Sequence, residues 1–430
     1  MNFKTTLKPD NLRTMVERQV SDFGDFNEVA IKQTISLIEA ENEPKRIEIV
    51  RAAVDLTKEA TRAISITALE TIREGAIFMG AIGSRGELTN PFRHIDAPIW
   101  KESEVPDHMI KTAYEYCEEL TRREAGNFYH SFKYLPDFER RAICAYYAFC
   151  RRADDIADGD FVDIFPGGST NDPESIKYRD AIEDLSKGEA VLDRSSYNDK
   201  MSQLFYYRKK LSTAYGKVTS TDPIFMAIKD TVNTFGIPRQ LLDDMVSGME
   251  DDFHMNRYQN FEDLYAYCYR VASTVGLVCI EIYGYDNIKA KEYAESWGIF
   301  MQLVNILRDV AEDAKRNRIY LPIDDLARYG ISENDILNNQ DIVNHPGWKP
   351  FVEHYIERAN SYRDKAFKLL PLLDKSSRYS PAAMAAFYSS ILKKIKKRDG
   401  DVFSSRVQLS KTEKITLAGY VYIRYRFLAI

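Results

Sequence analysis

Apolar residues recur at helical spacing through most of the chain, and this pattern sets the expected fold. The spacing predicts helices in nearly every segment after residue 107: over 108–124, from Pro238 through Asp252, and over 348–370, 380–398 and 410–430. Convincing alternation of apolar and polar residues, which marks a half-buried strand, is absent. We therefore expect an all-α fold.

The region before residue 107 is organised differently. Residues 1–82 also favour helices, whereas residues 83–106 contain two glycines and three prolines and are the best candidate for a linker. We predict a helical N-terminal extension plus linker over residues 1–100, and one large helical domain over residues 101–430. A further segment rich in glycine and proline, residues 159–175, predicts a loop that could close over a bound ligand.

One segment, residues 302–322, combines a polar and an apolar helix face, and nothing before Pro322 breaks a helix. At about 100° per residue, its amide and carboxylate side chains share one face: Gln302, Asn305, Asp309 and Asp313. The opposite face is apolar and holds Leu303, Val304, Leu307 and Ala311. The segment therefore predicts a helix that buries one face and presents acids and amides on the other.

A second acidic segment lies upstream, where Tyr147, Arg151, Asp154 and Asp158 share one helix face. Carboxylates at this i, i+4 spacing repel each other by roughly 0.2–0.5 kcal/mol even on an exposed helix. The penalty grows among apolar neighbours, because a buried carboxylate without a partner is costly. A divalent cation would remove both problems, since Mg²⁺ takes one or two carboxylates and completes its shell with water and phosphate oxygens.

Basic residues lie close to both acidic segments in the sequence. They are Arg151, Arg308, Lys315, Arg316 and Arg318. Carboxylates, a metal and these cations together would suit a diphosphate, whose departure is eased by preorganised positive charge. The alternative is a plain ion-pair network on solvated helix faces, which is common for such spacings. Two aligned pairs on otherwise apolar helices favour the metal–diphosphate interpretation.

Composition excludes several classes of function. With 59 basic and 65 acidic residues the net charge is −6, so there is no bulk attraction to nucleic acid. The five cysteines include no C-x-x-C pair, so we expect reduced thiols, no zinc site and a cytoplasmic protein. No apolar segment after Met1 indicates a secretory signal, and no apolar run reaches the ~18 residues that a spanning helix needs.

A basic run at residues 393–398 leaves one alternative open. It fits a solvated helix end, and it also fits attraction to anionic lipid. Peripheral membrane contact therefore stays open beside the cytoplasmic location, and the oligomeric state stays open as well.

Taken together, these motifs resemble those of the squalene/phytoene synthase family of head-to-head prenyl synthases. Residues 154–158 look like the family's first aspartate-rich motif, and residues 305–313 with 318–322 look like its second. Residues 267–276 match the helix between them, and residues 405–407 with Lys414 resemble the closing segment. The resemblance covers roughly residues 110–425, and the sequence around the second motif is more similar to that of the phytoene branch.

The resemblance implies an isoprenoid-synthase helical bundle with a central apolar cavity and makes residues 101–430 a prenyl synthase catalytic domain. By analogy, Mg²⁺, or Mn²⁺ in its place, would be held by five side chains: Asp154, Asp158, Asn305, Asp309 and Asp313. Arg151 and Arg308 would join the four aspartates in catalysis. Substrate contacts would come from Tyr147, Tyr267, Ala272, Gln302, Asn305 and Tyr320.

The implied reaction condenses two geranylgeranyl diphosphates to phytoene through a cyclopropylcarbinyl diphosphate, with loss of diphosphate and without NADPH. One alternative keeps the chemistry and uses farnesyl diphosphate to make squalene, hydroxysqualene or dehydrosqualene. A remote alternative is a non-catalytic assembly protein of the same fold, against which the presence of Asp154, Asp158, Asp309 and Asp313 argues.

Overall fold

The computed structural model describes residues 99–101, 105–125, 127–132, 135–159, 194–338 and 341–427. The expected helices before residue 83, most of the linker, and the expected loop from residue 160 onward lie outside these residues. The chain divides into two compact units, residues 86–409 and a second unit of residues 1–85 with 410–430. The predicted domain boundary at residue 100 stays a prediction.

The all-α prediction is confirmed. The described α-helices are α1 (Asp107–Glu124), α2 (Asn127–Phe132), α3 (Asp137–Asp158), α4 (Arg194–Ala214), α5 (Pro223–Phe235), α6 (Arg239–His254), α7 (Phe261–Cys268), α8 (Thr274–Tyr283), α9 (Lys289–Lys315), α10 (Ile323–Arg328), α11 (Glu333–Asn338), α12 (Trp348–Ala366), α13 (Tyr379–Lys397) and α14 (Lys411–Phe427). A π-helical turn, Tyr269–Ser273, joins α7 to α8, and short 3₁₀ turns occupy Ile342–Asn344 and Phe367–Leu372. The strands β1 (Ile99–Lys101) and β2 (Val218–Ser220) form one antiparallel ribbon with Ile99 opposite Ser220.

Helix α9 lies at the centre of the larger unit. It packs against α8, α12, α13 and the π-turn, and its Leu303, Val304 and Leu307 are fully buried. Burial of each such side chain contributes about 1.5–3 kcal/mol. This burial fixes the rotation of the helix about its axis, so the face with Asn305 and Asp309 lies away from these buried side chains and stays partly accessible.

Helix α3 is placed in the same way. Phe149 is fully buried and contacts Tyr207 of α4 and Phe225 of α5, with ring centroids 5.1 and 6.0 Å away. Helix α6 packs on α3 and on the π-turn, and the π-turn packs on α9. Residues 239–273 therefore connect the two acidic helices through direct contacts.

The acidic segment of residues 302–322 does not stay helical up to Pro322. Helix α9 ends at Lys315, and Asn317 takes a left-handed backbone conformation with φ of 58°. Arg257 holds this turn, because its guanidinium donates to the Asn317 carbonyl O at 2.6 Å and to Asn317 Oδ1 at 2.9 Å. Asparagine tolerates this conformation better than most residues. Arg318 and Tyr320 consequently lie on the connection after the helix.

Candidate active site

Helices α3, α6 and α9 each end with a group of carboxylates. The groups are Asp154, Asp155 and Asp158 on α3, Asp251 and Asp252 on α6, and Asp309, Glu312 and Asp313 on α9. The last turn of a helix already carries partial negative charge, so it favours cations and disfavours acids. Local helix energetics therefore oppose the acids in these last turns, so the arrangement requires cationic partners.

The α3 and α9 ends meet through their arginines and through Asp252. Arg316, directly after α9, has its Nη1 atom 3.5 Å from Asp158 Oδ1 at the end of α3. The charge of Asp252 reaches both sides, because it raises the pKa of Asp154 and of Asp313 after the larger effect of burial and of nearer carboxylates. The two aspartate motifs predicted from sequence therefore face one acidic centre.

Asp154 has one arginine for a partner. Arg151 donates from Nη1 to Asp154 Oδ2 at 3.2 Å and pairs through Nη2 with Asp155 Oδ1 at 2.5 Å. Partial burial and the neighbouring charge of Asp158 raise the pKa of Asp154 to about 6, against the opposing effect of Arg151. Asp154 therefore exchanges a proton in the range where enzymes commonly work.

Asp309 has two arginines for partners. Arg308 donates to Oδ1 from Nε at 2.8 Å and to Oδ2 from Nη2 at 2.5 Å. Arg406 approaches the same oxygens from the chain after α13, at 2.9 Å from Nε and 3.2 Å from Nη2. Burial alone would raise the pKa of Asp309, but these hydrogen bonds outweigh burial and hold it below its ordinary value. Asp309 stays ionised in the acid range where Asp154 is protonated.

Asp313 lies one turn after Asp309 and behaves oppositely. Burial and the charge of Asp309 raise the pKa of Asp313 to about 7, although Arg318 and Arg316 oppose the rise. The protonated and ionised forms are therefore comparably stable near neutral pH, and a bound cation would favour the ionised form.

Asp252, which the sequence placed only at the end of the helix that Pro238 opens, also belongs to this centre. Tyr320 donates a hydrogen bond from its hydroxyl to Asp252 Oδ1 at 2.9 Å, and Arg318 Nη1 lies 4.0 Å from Oδ2. Arg318 also donates from Nη2 to the Asp252 carbonyl O at 3.1 Å. Burial still raises the pKa of Asp252 against these partners. The segment after α9 thus attaches to the end of α6.

A tyrosine cluster lies beside Asp252. Tyr258, Tyr267 and Tyr320 have ring centroids 5.2 to 5.7 Å apart, and all three are buried. Aromatic faces attract cations, so this cluster could stabilise a positive charge that develops in the apolar part of the site.

The remaining predicted site residues are placed as follows. Asn305 Nδ2 donates to Gln302 Oε1 at 3.4 Å, one turn before Asp309. Tyr147 is half-buried on α3, one turn before Arg151, and Ala272 belongs to the π-turn that contacts α9. The structure assembles the arginines, the aspartates and Tyr320 around one centre.

The donor set fits a divalent cation in its chemistry. The Oδ1 atom of Asn305 is buried and has no hydrogen-bond partner, so it is an oxygen ligand available on the acidic face of α9. Asp154 and Asp313 each lie one turn from another carboxylate and each have a raised pKa. A bound cation would therefore stabilise the ionised form of both. Within the described residues, no three His, Cys, Asp or Glu side chains lie close enough together to hold a metal ion.

Sequence reasoning missed several contacts of this site. It did not single out Asp155, Tyr258, or the pairing of Arg270 with Asp251, whose Nε and Oδ2 atoms lie 2.5 Å apart. It matched Arg406 to a family segment without predicting its bond to Asp309. The consecutive acids at 251 and 252, at the end of a helix opened by Pro238, were the available signal for the third helix end.

The chain matches the family model described as squalene/phytoene synthase over residues 121–413. It is 30% identical over 350 residues to a 15-cis-phytoene synthase of Synechocystis, an alignment covering 79% of this chain and 93% of that protein. It is 33% identical over 324 residues to phytoene synthase 2, chloroplastic, of Solanum lycopersicum, covering 74% and 92%.

Solved structures show the same fold. A squalene synthase of Alicyclobacillus acidocaldarius superposes with a TM-score of 0.55 at 23% identity, covering 69% of this chain and 97% of that one. A dehydrosqualene synthase in complex with a ligand superposes with a TM-score of 0.55 at 25% identity, covering 73% and 96%. The chain therefore belongs to the squalene/phytoene synthase family, in its phytoene synthase branch, and is a prenyltransferase.

Proposed function

We propose that the protein condenses two geranylgeranyl diphosphates head to head into phytoene, with a divalent cation, Mg²⁺ or Mn²⁺. The observation that carries the proposal is the meeting of acidic helix ends at Asp158, Asp252 and Asp313 beside a set of arginines. The phytoene synthase relatives support the substrate length, since they match across most of the chain.

The metal would be held by the oxygens of Asp154, Asp158, Asn305, Asp309 and Asp313. When bound, it supplies charge that neutralises the diphosphate and eases its departure. Asp309 now has both oxygens bonded to Arg308 and Arg406. We expect these arginines to transfer to the diphosphate when substrate arrives, which frees the Asp309 oxygens.

The arginines would bind and orient the leaving groups. Arg151 and Arg308 project from the acidic helix faces, and Arg316 and Arg318 follow directly after α9. Negative charge grows on the diphosphate as the carbon–oxygen bond breaks. Cationic groups already in position stabilise that charge without reorganisation, which is the largest catalytic effect such a site can supply.

The tyrosine cluster would face the carbocation. Its members, Tyr258, Tyr267 and Tyr320, can each contribute roughly 0.5–2 kcal/mol to a cation over the ring face. The first ionisation would release one diphosphate, and its allylic cation would alkylate the second substrate, which loses a proton as the cyclopropane ring of the cyclopropylcarbinyl diphosphate closes. The second ionisation would release the remaining diphosphate, and the rearranged cation would end in the loss of a further proton. NADPH is not expected in this route.

The test is an incubation with radiolabelled geranylgeranyl diphosphate and Mg²⁺, without NADPH, followed by product chromatography. A C40 hydrocarbon is the expected product. A stalled cyclopropyl diphosphate would point to a missing hydride donor. No conversion, followed by turnover of farnesyl diphosphate, would assign the chain to the squalene-type chemistry of the two solved structural relatives.

We also propose that residues 101–430 form the catalytic domain and that the basic run at the end of α13 contacts anionic lipid. Lys396, Lys397 and Arg398 are exposed there. Within the described part of the chain, no helix combines the length and the apolar character needed to cross a bilayer. Vesicle flotation with and without anionic lipid tests the contact, and binding to neutral vesicles alone would contradict it.

A further inference from the structure

The π-turn between α7 and α8 has an unusual hydrogen-bond pattern. The backbone N–H of Thr274 donates to the Tyr269 carbonyl O, five residues back, where an α-helix would use Arg270. A π-turn of this kind inserts one residue into a helix. Such insertions are rare in proteins overall, and many of those that occur lie at functional sites. The Arg270 carbonyl O thereby loses its usual backbone partner.

Thr274 itself replaces that partner. Its hydroxyl donates to the Arg270 carbonyl O at 2.6 Å. One residue therefore satisfies two successive carbonyls, Tyr269 with its N–H and Arg270 with its side chain. Because Thr274 is fully buried, water cannot take over either bond.

The neighbouring helices are shaped to receive the turn. A Cβ atom added at Gly248 of α6 would lie 2.5 Å from Val271 Cγ1, and one added at Gly298 of α9 would lie 2.5 Å from the Ala272 carbonyl O. Only glycine permits backbones to approach this closely. The π-turn thus lies between the two helices that carry Asp252 and Asp309.

Each end of the turn is tied to a different helix. Ser273 donates from Oγ to the Glu295 carbonyl O of α9 at 2.8 Å, and Arg270 donates from Nε to Asp251 Oδ2 of α6 at 2.5 Å. Tyr267, two residues before the turn, stacks on Tyr320 with centroids 5.2 Å apart. The start of α8 is therefore anchored to α9, while the end of α7 supplies a member of the tyrosine cluster.

We propose that the π-turn is a positioning device for the reaction and that Thr274 is the residue that holds it. The inference rests on the proposed function, because it concerns the placement of Tyr267 against Tyr320 and Asp252. If the inserted residue were lost from the turn, α7 would rotate by about 100° relative to α8. Tyr267 would then leave the cluster, whereas the arginines that bind diphosphate would keep their places.

The test compares Thr274→Val and Thr274→Ser in the full chain with geranylgeranyl diphosphate and Mg²⁺. Valine keeps the shape and removes the hydroxyl, while serine keeps the hydroxyl. We expect Thr274→Val to lower kcat by on the order of 10- to 100-fold with KM nearly unchanged, the scale that a small misplacement of a reacting group produces. Thr274→Ser should retain kcat within about threefold.

Thr112→Val is the matched control. Thr112 also donates its hydroxyl to the carbonyl four residues back, His108 O at 2.8 Å, but at a partly exposed position of the ordinary helix α1. Its kcat and KM should equal those of the wild type. If Thr274→Val does not fold, Gly248→Ala takes its place, because the added methyl pushes Val271 and hence the turn; the same selective loss of kcat is expected.

The outcomes separate the two claims. A wild type that converts no prenyl diphosphate overturns the proposed function and this inference with it. An active wild type with an unchanged kcat in Thr274→Val overturns the inference alone. The inference is also overturned if a rise in KM accounts for the whole fall in kcat/KM of Thr274→Val, since the turn would then act on substrate binding.

Discussion

The acidic ends of α3 and α9 carry the same spacing of aspartates in different surroundings. On α3, Arg151 divides its donors between Asp154 and Asp155, and the pKa of Asp154 rises to about 6. On α9, Arg308 and Arg406 converge on Asp309 and hold its pKa below the ordinary value. The same spacing of aspartates therefore occurs with pKa shifts in opposite directions, upward for Asp154 and downward for Asp309.

The difference shows that D-x-x-x-D spacing specifies a face and leaves the chemistry of that face open. What decides the chemistry is the number of arginines per carboxylate and the depth of burial. Asp313 completes the comparison within α9, because one turn from Asp309 its pKa rises to about 7. Each motif thus contains an acid that a cation would help to ionise, and only Asp309 is already fully paired.

The largest effect is expected from Asp309→Asn. The substitution removes a metal ligand and leaves Arg308 and Arg406 without their shared acceptor, so turnover should fall by roughly 10²–10³-fold or more. The helical circular-dichroism signal should be unchanged. Asp364→Asn is the matched control, since Asp364 also pairs with the arginine directly before it, at an exposed position of α12. Wild-type activity in Asp309→Asn would contradict the proposal that Asp309 is a metal ligand.

A smaller effect is expected from Arg406→Gln. With one arginine removed, the pKa of Asp309 should rise toward the pKa values of Asp154 and Asp313. The acid limb of the pH–rate profile should therefore shift to higher pH. We expect kcat/KM to fall on the order of 10- to 100-fold at neutral pH. Arg239→Gln is the control, because Arg239 is similarly exposed and bonds Asp243 at 3.0 Å away from the centre. An unshifted acid limb would contradict the role assigned to this pair.

Tyr320→Phe tests whether Asp252 joins the two acidic ends. The ring stays in the cluster and the hydrogen bond to Asp252 Oδ1 is lost. Hydrogen bonds to charged groups are worth about 1.5–3 kcal/mol, so kcat/KM should fall by at least about tenfold. Tyr215→Phe, which removes a bond to the neutral Ile237 carbonyl O, should have little effect. Equal effects in the two variants would remove Asp252 from the site.

The smallest effect concerns stability. The folded-state pKa of Asp313, about 7, lies above its ordinary value of 3.8, so the folded protein binds the proton more tightly than the unfolded chain. The free energy of unfolding therefore falls as the pH rises from about 4 to 7. Without Mg²⁺, Asp313→Asn should raise the melting temperature by a few degrees at pH 8 and by nothing at pH 4.

The control for this prediction is Asp324→Asn, which changes an exposed aspartate. Added Mg²⁺ should stabilise the wild type at pH 8 and stabilise Asp313→Asn less, since a ligand that binds the folded state more tightly stabilises it more at the same concentration. A lower melting temperature of Asp313→Asn at pH 8 would show that the carboxylate is stabilising in the ligand-free fold.

Local chemistry in the sequence determined the helices and the faces they present. Burial of Leu303, Val304 and Leu307 follows from their helical spacing, and so does the acidic face opposite them. The aspartates and arginines of the two motifs were identified for the same reason, because residues three and four apart on a helix are neighbours wherever the helix lies.

Only the tertiary structure decided which charges meet. Arg406 reaches Asp309 and Tyr320 reaches Asp252 across long stretches of chain, and periodicity carries no information about such contacts. The spacing of apolar and polar residues likewise did not predict the end of α9 at Lys315 or the π-turn at Tyr269–Ser273. Each is tied to a distant part of the chain by a bond, Arg257 to Asn317 and Ser273 to Glu295, whose formation requires the packed helices to be in place.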